Sequence, residues 1–85
     1  MKDKIHPYPQ DQPAVYEIQI EGQLDDHMRA WFENMVITEQ VEGGKWVTRL
    51  TGLVTDQAAL HGLLSGIYNL GFVVVFVSKV ESPLE

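Results

Sequence analysis

Cysteine is missing from the chain altogether. Its absence excludes a disulfide framework, a thiolate zinc site and a cysteine nucleophile together, and it fits a protein of the cytoplasm. Positive charge is scarce: 6 Lys and Arg stand against 12 Asp and Glu, for a net charge of -6. A surface of that sign repels phosphate backbones and anionic headgroups, so neither nucleic acid nor a membrane is an expected partner. Long apolar runs are lacking too. The longest, Phe72 to Val77, falls far below the ~20 residues that a helix needs to cross a bilayer. Met1 to Pro13 holds no apolar run of signal-peptide length. What is present, 45% hydrophobic residues in 85, is enough for one compact core. A domain this small buries a limited share of its surface and gains from oligomerisation.

Residues 1–14 begin MKDKIHPYPQDQP, with three prolines and little apolar material, and read as an extended or disordered N-terminal arm. Residues 82–85 read as a C-terminal tail in which Leu84-Glu85 resembles a tag remnant. Between them, residues 15–81 form a single α/β domain. Tyr16, Ile18 and Ile20 alternate with Glu17, Gln19 and Glu21 in the period of a half-buried strand. Gly22 breaks the strand, and Asp25 or Asp26 offers a carboxylate cap for a helix. Leu24, Met28, Trp31, Phe32 and Met35 make one stripe of that helix, facing the core.

Glu42-Gly43-Gly44-Lys45 is a two-residue hairpin signal, because both glycines tolerate the positive φ of a primed turn. The turn sets the register: Val41 faces Trp46, Gln40 faces Val47, Glu39 faces Thr48, Thr38 faces Arg49 and Ile37 faces Leu50. Ile37, Val41, Trp46 and Leu50 then share the face toward the helices, and Trp46 is expected to be partly buried. The Glu39–Thr48 pair is the weak point, since a carboxylate between two apolar pairs needs an exit to solvent or a hydrogen bond.

Thr55-Asp56-Gln57 caps a second helix, whose stripe is Leu60, Leu63, Leu64, Ile67 and Leu70 and whose end is Gly71. Phe72 to Val80 is rich in β-branched and aromatic residues and reads as the last strand. The order is βαββαβ. Right-handed crossovers make it an α+β, ferredoxin-like sandwich: a four-stranded antiparallel sheet with two helices on one face. The fourth strand then lies at an edge beside the first, and Val36 to Val41 lies at the other edge.

The run TGLVTDQAALHGLL, with YEIQIEGQLDDHMRAWFENMVIT before it, resembles a family of small bacterial proteins. That family shows a tyrosine-led first strand, an L-D-[DE] helix start, a W-F pair and a TGxVxDQAALHGLL segment, and the likeness spans roughly residues 15 to 80. The resemblance implies a compact bacterial domain and brings no activity, cofactor or catalytic residue with it.

Individual side chains offer little chemistry. His61 shares a helix flank with Ser65 and Tyr68, but spacing alone supplies neither an orienting carboxylate nor a nucleophile in reach, so a helix-margin role is expected. His27 lies beside Asp25 and Asp26 without the spacing of a metal site. No metal, cofactor or catalytic residue is assigned. The first strand presents Val15, Glu17, Gln19 and Glu21 on its outer face, where an RNA-recognition sheet carries aromatics, and Asp25 and Asp26 would repel the phosphate of an acylphosphatase-like cradle.

Two functional readings follow. The first is a non-enzymatic interaction or regulatory domain acting as a homodimer. It rests on the apolar row Val73, Val75 and Val77, which strict alternation would expose together; a weaker hint is the small-residue stripe Ala58, Gly62, Gly66 and Asn69. The second is a small-ligand-binding or enzymatic domain with a pocket between the helices, formed by His27, Trp31 and His61.

Overall fold

The computed structural model describes residues 13–80. The expected arm lies outside that range apart from Pro13 and Ala14, and so does the expected tail at 82–85. Four strands, β1 (Ala14–Glu21), β2 (Val36–Glu42), β3 (Lys45–Val54) and β4 (Val73–Val80), form one sheet in the order β2-β3-β1-β4, and every pairing is antiparallel. Helix α1 (Asp26–Arg29) and helix α2 (Gln57–Asn69) complete an α+β fold. Ala14, expected in the arm, is the first residue of β1, where it faces Val54.

The hairpin has the register that its turn dictates. Glu42 faces Lys45, Val41 faces Trp46, Glu39 faces Thr48 and Ile37 faces Leu50. Gly43 and Gly44 have φ of 60° and 81°, the left-handed pair of a primed turn. The face assignment holds through Ile37 and Leu50, which join the core. Farther out it runs past the helices: Trp46 keeps 45% of its surface exposed, and Val41 is exposed as well.

Ile18, Ile20, Leu50 and Val54 from the sheet form one buried cluster with Leu24 and Phe32 from the β1–β2 connection and Leu60 and Ile67 from α2. Full burial of a side chain such as Ile18 or Ile67 contributes ~1.5–3 kcal/mol. Thr48 is fully buried within this region, and its hydroxyl donates to the Gly22 carbonyl at 2.6 Å, which removes the penalty of an unpaired polar group.

Helix α2 follows its sequence signals at both ends. Asp56 accepts from the Ala59 amide at 2.7 Å. At the other end the Gly71 amide donates to the Tyr68 carbonyl and the Phe72 amide to the Ile67 carbonyl, with Gly71 at φ 91°, the paired bonds of a Schellman cap. Leu60 and Ile67 are buried, and Leu63, Leu64 and Leu70 pack against the cluster.

The first helix corrects the expectation of a continuous stripe from Leu24 to Met35. Asp25 caps α1 by accepting from the Met28 amide at 2.8 Å, but α1 lasts only four residues. Ala30–Phe32 then tightens into a 3-10 turn, and Met35 donates back to the Phe32 carbonyl. In that turn successive side chains advance by ~120° instead of ~100°. Phe32 enters the core, whereas Trp31, expected beside it, stays 57% exposed.

Strand β4 also departs from strict alternation. Ile18 faces Val77 and Gln19 faces Phe76, but Ile20 faces Val74, so Val75 is the extra residue of a bulge. Val73 and Phe76 therefore lie on the face of Glu21 and Gln19, while Val77 lies on the face of Ile18. The expected row Val73, Val75 and Val77 is split between faces, although all three residues are exposed.

Candidate functional site

The exposed Trp31 marks a pocket of about 200 Å³ between the 3-10 segment, the end of β3 and the first half of α2. Trp31, Phe32, Met35, Leu53, Val54 and Leu63 supply most of the lining, with Asn34 and Thr55 as its polar side chains. Its walls stand close because β3 carries Gly52 under the Met35 segment. A Cβ at Gly52 would lie 3.0 Å from Met35 Cγ and 3.2 Å from Met35 Cα, so only glycine lets the two backbones meet at this distance.

Of the three residues expected to form a pocket between the helices, the structure brings Trp31 to one. His27 on α1 and His61 on α2 are exposed and do not line it. Ser65 and Tyr68, which share the His61 flank, are exposed too. No group of three or more His, Asp or Glu that could hold a metal ion occurs among the described residues.

Two polar arrangements have partners that the sequence did not announce. On β2, the Glu39 carboxylate receives the Arg29 guanidinium at 2.5 Å and the Leu24 amide at 3.1 Å. On the sheet face away from the core, Arg49 donates to Gln19 Oε1 at 2.8 Å. Glu17 Oε2 lies 2.7 Å from Arg49 Nε, yet the buried Nε has no aligned hydrogen-bond acceptor, so this contact is an ion pair without a directed bond. Glu42, at 4.0 Å, adds a second acidic neighbour. The signal for this cluster was the Gln19–Arg49 pairing of β1 with β3, which no turn announces. A guanidinium already surrounded by two carboxylates is a poor anion site, and the cluster acts as a strand-to-strand clasp.

The pocket is apolar with two polar side chains, the Arg49 cluster is internally compensated, and the edge strand β4 exposes Val73, Val75, Phe76, Val77 and Val80. No helix among the described residues is long and apolar enough to cross a membrane. No curated protein and no solved structure matches the chain. Residues 15–78 match a family described as Domain of unknown function (DUF8691), and the chain belongs to that family.

Proposed function

We propose that the chain is a ferredoxin-like, non-enzymatic interaction or regulatory domain that works as a homodimer in the bacterial cytoplasm. One observation carries this reading. Strand β4 is a sheet edge of eight residues in which Val74 alone is partly covered, and five of the exposed side chains are large and apolar. An edge strand of this length presents unpaired backbone groups, and natural edges are normally blunted with charge, proline or cover. Lys79 is the one charged residue here. Pairing of β4 with β4 of a second copy about a two-fold axis satisfies the edge and covers the apolar side chains in an isologous contact.

Light scattering tests the proposal. The expected mass is twice the 9.6 kDa of one chain, and Val75→Lys should halve it with unchanged circular dichroism. A mass near 9.6 kDa at high concentration, with Val75→Lys folding normally, ends the homodimer reading.

A second reading, a small-ligand-binding domain, is supported by the pocket beside Trp31. Of the residues expected for it, Trp31 lines this pocket, and His27 and His61 lie outside its lining. A thermal-shift screen in which Trp31→Ala abolishes every hit while His27→Ala and His61→Ala abolish none is its expected signature, and a silent screen removes it.

A further inference from the structure

We propose, resting on the small-ligand reading of the pocket beside Trp31, that its ligand is an uncharged single-ring aromatic compound bearing one amide or hydroxyl group. Size sets the first limit. A dry apolar cavity of ~150 Å³ takes one benzene, so the pocket's volume of about 200 Å³ takes one ring with a head group of a few heavy atoms. It falls short of the ~300–1,000 Å³ of sites for drug-sized ligands.

The lining divides by depth. Phe32 and Val54 are buried, and Met35 and Leu63 are half-buried, which makes a floor without a polar side chain. Trp31, Asn34 and Thr55 line the pocket and are exposed, so they stand at its mouth. A ring on that floor meets the Trp31 indole, and aromatic pairs gain beyond the area they bury. The Asn34 amide and the Thr55 hydroxyl each donate and accept. They match a head group that does both.

Charge sets the last limit. No Asp, Glu, Lys, Arg or His lines the pocket, so a charged head group would lose water there without gaining a counter-ion. The start of α2 does not favour an anion either, because Asp56 already caps it, accepting from the Ala59 amide at 2.7 Å. The net charge of -6 opposes an anion as well.

The chain's two tryptophans supply a signal and its control. Trp46 lies at the opposite end of β3 from Val54, ~26 Å away at ~3.3 Å per residue. In two-dimensional NMR of the full chain each indole N–H gives its own signal. Titration with benzamide or phenol in ~0.15 M salt, which screens charge beyond ~8 Å, should move the Trp31 signal and leave that of Trp46 in place. Benzoate and benzylammonium should bind several-fold more weakly. Ala59→Leu, at an exposed α2 position that lines the pocket, should abolish the shift with unchanged circular dichroism. Thr55→Val and Asn34→Ala should each weaken benzamide several-fold and leave toluene unaffected.

A charged probe that binds beside Trp31 as tightly as benzamide overturns the proposed class and leaves the small-ligand reading standing. Benzamide affinity unchanged by both Thr55→Val and Asn34→Ala overturns the head group. A shift that survives Ala59→Leu, or that moves Trp46 alike, overturns the site. Silence from every single-ring probe overturns the proposal, and the thermal-shift screen then decides the broader reading: a Trp31-dependent hit of another class keeps it, and a silent screen removes it.

Discussion

Arg29 Nη2 on α1 lies 2.5 Å from Glu39 Oε1 on β2. This contact ties the short helix to the edge strand and resolves the hairpin's weak point. Glu39, whose side chain is 14% exposed, sits between two apolar pairs and finds a cation and a backbone amide in place of solvent. Arg29, at 38% exposure, is partly screened by water, so the pair's coupling is expected to be modest, ~0.5–1 kcal/mol. A double-mutant cycle in urea with Arg29→Ala and Glu39→Gln measures it. Additive effects would show that the Leu24 amide alone stabilises the carboxylate.

Gly52→Ala should destabilise the domain by ~1–3 kcal/mol, because the added methyl overlaps Met35 backbone as well as its side chain. Chemical denaturation reads this directly. Met35→Ala in the same chain should recover only part of the loss, since Met35 Cα stays 3.2 Å from the new methyl.

Gly62→Ala should act in the opposite sense. A Cβ there meets nothing within 4 Å, and replacing a mid-helix glycine contributes ~1 kcal/mol of helix propensity. The expected gain in Tm is ~4–8 °C for a domain of this size. An unchanged or lowered Tm would indicate that the small-residue stripe of α2 is occupied in solution.

The two turn glycines should respond differently. Gly43, at φ 60°, occupies a region that asparagine tolerates, and Asn-Gly is a favoured primed turn, so Gly43→Asn should leave stability within ~0.5 kcal/mol. Gly44→Ala places a Cβ at φ 81° and should cost ~1–2 kcal/mol. Equal effects at the two positions, measured by thermal unfolding, would contradict the turn type.

Local chemistry determined much of this protein from the sequence alone. The alternation of β1, the caps of α2, the Gly71 stop and the Gly43-Gly44 register all depend on neighbours within a few residues or on a turn that fixes pairing by its own geometry. Other features were decided by partners distant in the chain. Glu39 reaches Leu24 across 15 positions and Arg49 reaches Gln19 across 30, and neither end carries a mark of the other. The bulge at Val75 depends on how β4 fits β1, which strand composition does not encode. Trp31 shows the division most sharply: helical spacing placed it in the core. Tertiary closure tightened its turn, because Phe32 had to reach the cluster while Met35 crossed Gly52. That packing constraint left the indole at the surface, beside a pocket visible only once β3 and α2 are in place.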